Sequence, residues 1–377
     1  MKNHWRRRAI LVSALGLAAC SVWAARLPNR SKELVSRYKV LSAATQGNLA
    51  VYPVIADTSF DTSGFLTLEE GVRSGQVVVT EAAQSAGLVR PRRSGRLIWD
   101  ERPIPIVGQS GARVNELAII NNSNRPLVLL AGEIVTGGKQ DRVVGRDRII
   151  PAHSEPVALG VFCVEPHRWT ETSAQFGALP SSMAQPSVRF KAMARQNQEE
   201  VWNEVAKSRS AFAAAAPPAA ARALQSNSSY ATAIQSDAVK RQLDSITVPI
   251  QRSYEKLFTE FRAEKAVGAV VAVNGELIWA DVFASPALLE KYWPKLIRSY
   301  AAEALSPRMK RTVVPSPATQ AEAQNFLGQL DAHRETVETE PGLYRNTEIT
   351  GEDFDAFVLT ALLPRTGFDV HIAKMKH

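Results

Sequence analysis

The chain has 377 residues, of which 45% are hydrophobic, and 45 basic residues stand against 37 acidic ones for a net charge of +8. The first nineteen residues hold four of the basic residues and no acid, so the rest carries 41 against 37, a net of +4. A balance this mild argues against nucleic acid as a partner, and the length is sufficient to bury a core without disulfides.

The N-terminal segment has the layout of an export signal. A basic stretch from Lys2 to Arg8 precedes the apolar run Ala9–Ala19, and a run of about a dozen residues is too short to span a bilayer. The run ends in Leu-Ala-Ala-Cys, which resembles a bacterial lipobox with Cys20 as the residue that receives lipid. The alternative is ordinary signal cleavage after Ala24.

Both cleavage points predict the same compartment. We expect an exported protein, periplasmic or anchored as a lipoprotein, with residues 1–19 as a lipoprotein-type signal peptide and residues 20–38 as a tether. The membrane is then a partner through lipidated Cys20, nucleic acid is not, and the sequence identifies no protein partner. With Cys20 lipidated, Cys163 is left without a disulfide partner and is expected to be a buried small hydrophobic residue.

The region from about residue 39 to 170 is predicted to be mostly strands. "NLAVYPVIA" is β-branched and aromatic, and "FLTLEEGVRSGQVVVTEA" indicates a helical turn followed by a strand. "VNELAIINNSNRPLVLLAGEIV" predicts a hairpin closed by "NNSNRP", and "DRVVGRDRIIP" and "PVALGVFCVE" add further strands. Many short strands separated by turns favour a sandwich or a strongly bent antiparallel sheet.

The remainder is predicted to be helical with hairpins. "VRFKAMARQNQEEVWNEVAKSRSAF" indicates a helix, and paired prolines with serine-rich residues predict a linker at about 208–232. Pro249 is placed at the start of the next helix. The apolar face of that helix consists of Ile250, Tyr254, Leu257, Phe258 and Phe261.

A second hairpin and a further helix follow. Asn274-Gly275 between two apolar runs predicts the hairpin, and residues 285–305 predict a helix that Pro294 either kinks or begins. Terminal strands complete an α+β fold with a β-rich N-terminal half and a helical and hairpin C-terminal half packed on it. We expect one domain over residues 39–377, with a β-rich part at 39–170 and a helix and hairpin part at 186–377.

Chemically capable side chains concentrate between residues 129 and 169. Glu133 is predicted to emerge at the end of a buried strand, and Gly137-Gly138 allow a ligand to approach the backbone. Cys163 and Glu165 share one face of a later strand. No P-loop pattern and no G-x-S-x-G motif is present, so neither a nucleotide nor a serine hydrolase is specified.

Four interpretations of this cluster compete. Its charges are a structural salt-bridge network, or Lys139, Arg142 and Arg168 bind an anion with the glycine amides. Alternatively Glu133 and Glu165 act as acid and base in hydrolysis. The fourth is a metal site from His153, Cys163, His167 and a glutamate, whose spacing matches no standard zinc pattern. Outside the cluster, Asp281 is a polar residue in an apolar strand and is predicted to pair with an arginine across the two halves.

The segments "LLAGEIVTGGKQDRVV", "VFCVEPHRW" and "GAVVAVNGELIWADVFASPALLEKYWPKLIRSYAAEAL" together resemble the ARPP-1 domain, from about Gly47 to beyond Leu305. That family is named for its association with ADP-ribosylglycohydrolase and rhodanese-phosphatase proteins. The resemblance implies no established activity, and only by association does it suggest ADP-ribose or nucleotide chemistry. The matching positions are Gly132, Glu133, Gly137, Lys139, Gln140, Arg142, Cys163, Glu165, Arg168 and Trp169; His167 stands where many members have glycine.

We therefore predict a pocket for a small anionic ligand that resembles a nucleotide, ADP-ribose or a sugar. Glu133 and Glu165 are the candidate catalytic residues. The candidate ligand-binding residues are Lys139, Gln140, Arg142, Arg168 and Trp169. No metal is predicted, no cofactor is identified, and the sequence does not decide whether the protein is an enzyme. The alternative is a non-catalytic envelope scaffold or interaction module whose polar cluster is a salt-bridge network.

Overall fold

A computed structural model describes residues 37–82, 115–260, 266–306, 316–330, 332–363 and 367–377. The predicted signal peptide, most of the tether, both cleavage points and Phe261 lie outside the described residues, as do the side chains of Leu257 and Phe258. Within those ranges, no helix combines the length and apolar content that crossing a membrane requires.

The β-rich part comes first along the chain. Its elements are β1 (Tyr38–Val40), β2 (Ala44–Gln46), β3 (Leu49–Ala56), β4 (Leu66–Thr67), α1 (Leu68–Arg73), β5 (Val77–Glu81), β6 (Glu116–Asn121), β7 (Leu127–Leu129), β8 (Glu133–Thr136), β9 (Arg142–Val144), β10 (Arg148–Ile150), β11 (Val157–Cys163) and β12 (Gly177–Met183). The predicted helical turn and strand in "FLTLEEGVRSGQVVVTEA" are confirmed as α1 and β5.

Helices dominate the next part, and strands return at the end. The elements are α2 (Pro186–Phe190), a π-helical turn (Lys191–Arg195), α3 (Gln198–Ala215), α4 (Pro218–Ser226), α5 (Tyr230–Gln235), α6 (Asp237–Glu260), β13 (Ala266–Val273), β14 (Glu276–Phe283), α7 (Pro286–Leu305), α8 (Gln320–Gly328), β15 (Arg334–Glu340), β16 (Tyr344–Thr350), β17 (Phe354–Ala361) and β18 (Asp369–Lys376). The predicted α+β class is confirmed.

A nine-stranded antiparallel sheet joins the two ends of the chain. Its strand order is β1-β3-β13-β14-β18-β17-β16-β15, with β2 also paired to β3. Every residue of β13 is buried, because α7 covers one face of the sheet and α8 covers the other. Val271 packs in the core shared with α7, and its neighbour Val270 packs in the core shared with α8.

Two smaller sheets carry most of the predicted site. One has the order β12-β8-β9-β11-β6-β5, and the other has the order β10-β7-β4. Apolar side chains on one side of these sheets form a separate core cluster with α1, and those on the other side belong to the large core shared with α7. Strands β8, β9 and β11 lie side by side, so the loops at their ends can bring distant parts of the 129–169 stretch together.

Local signals account for the elements that were predicted correctly. The β13–β14 hairpin turns at Asn274 and Gly275, whose φ angles of 54° and 81° are those that this turn pair requires. Helix α7 begins after Ser285, whose side chain accepts a hydrogen bond from the amide of Leu288. Pro294 lies inside this helix and does not begin it.

The predicted hairpin across "NNSNRP" is wrong. Strand β6 pairs with β5 and β11, whereas β7 pairs with β10 and β4 in another sheet. Asn121 explains the separation, because its side-chain amide donates to the carbonyl oxygens of Arg125 (2.8 Å) and Pro151 (3.0 Å). These bonds tie the turn to the chain beyond β10 and direct β7 into the smaller sheet.

The segment predicted as a linker at 208–232 is helical. Helix α3 continues to Ala215, and α4 begins at Pro218, where the fixed φ of proline suits a first helical position. The alanines that follow favour a helix, and Leu224 anchors it in the core. Likewise Pro249, predicted to start a helix, lies inside α6, which begins at Asp237.

Candidate functional site

Arg168 holds together the loops that follow strands β8 and β11. Its guanidinium donates to the carbonyl oxygens of Gly137 (3.3 Å) and Gly138 (3.0 Å). It also forms ion pairs with Glu165 (2.6 Å) and Asp141 (3.4 Å). We call these five residues the Arg168 node. Arg168 and Glu165, both predicted as site residues, are therefore in direct contact.

The glycine loop of the node adopts the conformation that only glycine accepts readily. Gly137 has φ +120°, and a Cβ on Gly138 would lie 2.2 Å from the ring of Phe176. The loop amides are occupied by the protein itself: Gly137 donates to Asp141 (3.1 Å), and Gly138 donates to the hydroxyl of Ser173 (3.1 Å). These amides were predicted to bind an anion, but in the structure they stabilise the loop through internal hydrogen bonds.

Asp141 and Glu165 form the close carboxylate pair of this region. The amide of Asp141 donates to Glu165 (3.1 Å), and the hydroxyl of Ser229 donates to the Asp141 carboxylate (2.8 Å). Burial raises the pKa of Asp141, and the neighbouring charge of Glu165 raises it further. The hydrogen bonds from Ser229 and Gly137 and the charge of Arg168 lower this pKa, but they do not outweigh the first two effects. Asp141 was not among the predicted site residues, because in the sequence it is one charge among several.

Gln140 and Arg142 lie behind the node, in the interior. The side-chain amide of Gln140 donates to the carbonyl oxygen of Glu165 (3.0 Å). Arg142 is fully buried, and burial lowers its pKa despite the opposing influence of Cys163 and Glu81. Cys163 is buried beside it, as predicted, and burial raises the pKa of its thiol. None of these three side chains reaches the surface.

Lys139 and Trp169 face solvent on the outer side of the node. The ammonium of Lys139 lies 5.3 Å from the centre of the Trp169 ring, and Trp169 is 46% exposed. The main-chain amide of Lys139 donates to the buried carboxylate of Glu81 (3.0 Å), which fixes the backbone of the lysine. A cation over an aromatic face is a favourable pair at this distance.

Glu133 lies away from the node. It is 1% exposed, its carboxylate pairs with Lys295 of α7 (2.7 Å), and it accepts the amide of Leu130 (3.0 Å). The strand registers align Val135 with Arg142 and Arg142 with Cys163. Glu133 and Glu165 therefore differ by four residues along the strand direction, or about 13 Å. The structure does not bring the two predicted catalytic carboxylates together.

A buried chain of four charged residues lies elsewhere in the protein, and of these only Asp281 was singled out from the sequence. Arg189 pairs with Asp281 through two hydrogen bonds of 2.9 Å. Asp281 therefore has an arginine partner, but the partner lies in the same part of the chain, residues 186–377, and not across the two halves as predicted. Asp281 also lies 3.1 Å from His371, whose other ring nitrogen lies 2.6 Å from Asp147. The available signal was a polar residue between apolar neighbours, at Asp281 in "LIWADVF" and again at His371 in "VHIA".

The charges of this chain stabilise one another. Burial alone would lower the pKa of His371, but the carboxylates of Asp147 and Asp281 outweigh it and raise that pKa to about 9. Burial would raise the pKa of Asp281, yet Arg189 and His371 hold it well below its usual range. The four residues alternate in sign, from guanidinium to carboxylate to imidazolium to carboxylate, so no charge is left without a counterion.

The chain matches the model of a known family. The model of the ARG and Rhodanese-Phosphatase-superfamily-associated Protein domain, ARPP-1, matches residues 37–374. This range covers nearly the whole chain and includes the Arg168 node, Glu133 and the buried chain of charges. Neither the curated proteins nor the solved structures gave a match.

Proposed function

The chain belongs to the ARPP-1 domain family, and we propose that it is an exported, lipid-anchored protein that binds a small anionic ligand. The basic and apolar N-terminal segment and the lipobox-like Cys20 support export and anchoring. The binding surface is the outer side of the Arg168 node. The expected ligand carries a ring and a negative group, as a nucleotide, ADP-ribose or an acidic sugar does.

One observation carries this proposal: Lys139 and Trp169 are presented together on a rigid base. The exposed ring offers a stacking surface for a base or a sugar, and the adjacent ammonium offers a counterion for a phosphate or carboxylate. Arg168, whose side chain is 20% exposed, lies behind them, and its charge is balanced by Glu165 and Asp141. Gln140 and Arg142 are buried beneath this surface and Arg168 is held by hydrogen bonds, so the backbone that carries Lys139 and Trp169 is fixed before a ligand binds.

Hydrolysis of the ligand is the second part of the proposal. Glu165 has the neighbour that acid–base chemistry needs, because Asp141 contacts it through the backbone and holds its proton more tightly than an ordinary aspartate. We assign the acid to Asp141 and the base to Glu165. Glu133 was predicted to share this chemistry; its ion pair with Lys295 supports a contribution through the positioning of β8 against α7.

The scaffold alternative also has a specific observation in its favour. Glu133, Gln140, Arg142 and Glu165 are each buried, and each of the two glutamates has its own cationic partner. A salt-bridge network has this form, whereas a ligand site usually leaves several polar groups open to solvent. On this view the cluster fixes the loops, and the outer surface serves contacts in the cell envelope.

A thermal-shift experiment on residues 25–377 separates the two functions. The probes are ADP-ribose, NAD, nucleotides and sugar phosphates. Each probe is added to the unchanged protein, to Trp169→Ala, to Lys139→Ala and to the control Lys207→Ala, which removes an exposed lysine elsewhere. A probe at about 100 times its dissociation constant adds roughly 2.7 kcal/mol to the stability. A shift abolished by the first two changes and kept in the control supports the anion site, and turnover lost in Asp141→Asn supports hydrolysis. No shift with any probe favours the scaffold.

Export is tested separately in cells. Cell fractionation of the full chain should place it in the membrane fraction, and Cys20→Ala should release it from that fraction. Protein found in the cytoplasm in both cases would contradict export.

A further inference from the structure

The two borders of the nine-stranded sheet differ in how their main-chain groups are satisfied. At the border formed by β1, the side-chain amide of Gln324 donates to the carbonyl oxygen of Tyr38 (3.0 Å), and its oxygen accepts from the main-chain amide of Val40 (2.7 Å). Gln320 donates to the carbonyl oxygen of Val40 (2.8 Å). Two glutamines of α8 therefore take the place of a neighbouring strand and close this border.

Strand β15 forms the opposite border, and among the described residues no strand or side chain closes it in this way. It pairs with β16 at all seven of its positions without a register shift, and it contains no proline. Six of its seven residues are exposed, and Val337 at its centre is 51% exposed. Since alternate residues of an edge strand direct their N–H and C=O groups away from the sheet, β15 presents a regular row of open main-chain groups.

The side chains of β15 give this border a negative charge. Three of its seven residues are glutamates and one is an arginine. Arg146 pairs with Glu338 (2.5 Å), whereas neither Glu335 nor Glu340 has an ion pair among the described residues. These two carboxylates lie on opposite faces of the strand, because they are an odd number of residues apart, and Val337 lies between them. The border thus offers main-chain groups together with two uncompensated negative charges.

We propose that β15 binds an extended basic segment of another protein, which adds a tenth strand to the sheet. The segment runs antiparallel to β15, as every described strand pair of this sheet does. One lysine or arginine lies opposite Glu335 and another lies opposite Glu340, because directly opposed charges of unlike sign attract across two strands. A β-branched residue lies opposite Val337.

The two kinds of contact have different roles in this complex. Main-chain hydrogen bonds along an added strand supply affinity for any extended chain, and the side chains at alternate positions select among chains. The glutamates of β15 therefore determine which chain is accepted. A second copy of β15 fits this border less well than a basic segment does, since it would bring three further glutamates and only one arginine.

The test uses residues 25–377, which contain the whole matched domain, and a dye-labelled peptide of sequence Lys-Thr-Thr-Val-Thr-Lys-Thr. Antiparallel to β15, this peptide places its lysines opposite Glu340 and Glu335 and its valine opposite Val337. One control peptide has glutamate in place of both lysines. The other keeps the lysines but carries a methyl group on every amide nitrogen, so it keeps the charge and loses its N–H donors. Fluorescence anisotropy measures binding, and hydrogen exchange followed by mass spectrometry locates it.

We expect the basic peptide to bind and to slow hydrogen exchange within residues 334–340, and both control peptides to bind much more weakly. The double change Glu335→Gln with Glu340→Gln should weaken binding of the basic peptide about fivefold. The matched control is Glu352→Gln with Asp353→Asn, which removes two charges from the exposed turn between β16 and β17 and should leave binding unchanged. Circular dichroism checks that both variants are folded.

Several results would overturn the inference. Absence of binding by the basic peptide is one, and protection confined to another part of the chain is a second. Equal binding of the methylated peptide would show that charge alone holds the peptide, without main-chain pairing. A dimer that protects residues 334–340 in the absence of peptide would make a second copy the occupant. Trp169→Ala should leave peptide binding unchanged, so this test is independent of the anion site at the Arg168 node.

Discussion

Arg189 and Asp281 form a two-bond ion pair in which both side chains are completely excluded from solvent. The pair connects α2 to the β13–β14 hairpin, and the hydroxyl of Tyr300 (2.6 Å) and the indole of Trp279 (2.9 Å) complete the shell of Asp281. Because such a pair is costly to break, its stability reports how firmly α2 is held against the β13–β14 hairpin.

Removing either partner should destabilise the domain strongly. Asp281→Asn leaves the guanidinium of Arg189 buried without its counterion, and we expect a loss of about 3–5 kcal/mol in the free energy of unfolding. Urea denaturation followed by circular dichroism measures this loss. Arg298→Ala is the control, since its pair with Asp244 is partly exposed and should cost below about 1 kcal/mol. Similar losses in both variants would contradict the structural role of the buried pair.

Stability should decline on the alkaline side because of His371. Its pKa is 6.5 ordinarily and about 9 in the folded protein, so the folded state binds its proton more tightly. The resulting stabilisation, on the order of a few kcal/mol, is complete below pH of about 6.5 and is lost as the pH rises through about 9. Unfolding free energies measured from pH 6 to 10 test this. His371→Gln should remove the decline, and His333→Gln, at an exposed site, should preserve it.

Glu133 should prove more important for stability than for turnover. Glu133→Gln leaves the ammonium of Lys295 buried with only the more distant Glu69 (3.4 Å), and we expect a loss of about 2–4 kcal/mol. The double change Glu133→Leu with Lys295→Met removes both charges and should recover much of that loss. A Glu133→Gln protein of normal stability that loses turnover would instead make Glu133 catalytic.

Gly132 should not tolerate a side chain. Its φ is +93°, and a Cβ would lie 2.6 Å from the Cγ of Arg189, so Gly132→Ala strains the backbone and displaces the buried guanidinium. We expect a loss of about 2–4 kcal/mol. Gly342→Ala is the matched control, because Gly342 also has a positive φ of +71° but nothing lies near its Cβ position. Equal losses would show that backbone strain alone decides the outcome.

Local patterns predicted much of the fold because their physical causes are local. The hairpin at Asn274-Gly275, the helix that begins after Ser285 and the terminal strands each follow from residues adjacent in the chain. The predicted hairpin at "NNSNRP" failed because its turn is fixed by Pro151, which lies thirty residues from Asn121. No periodicity within the segment carries that information.

The candidate site was predicted only in part for the same reason. Arg168 and Glu165 are three residues apart, and their contact was within reach of sequence reasoning. The partner of Glu133 lies 162 residues further on, and the partner of Asp147 lies 224 residues further on. The partners of charges so far apart in sequence are known only once the sheets are assembled. Glu133 was therefore predicted to act with Glu165, whereas it pairs with Lys295.

Strand β15 leaves one long border of the nine-stranded sheet without a neighbouring strand among the described residues. Such a border can recruit an extended segment from another copy of the protein and begin aggregation. The sequence of β15, Arg-Glu-Thr-Val-Glu-Thr-Glu, opposes this with four charged residues in seven, three of them acidic. Two copies meeting at this border would bring like charges together, so β15 helps to keep the protein dispersed where its local concentration is high.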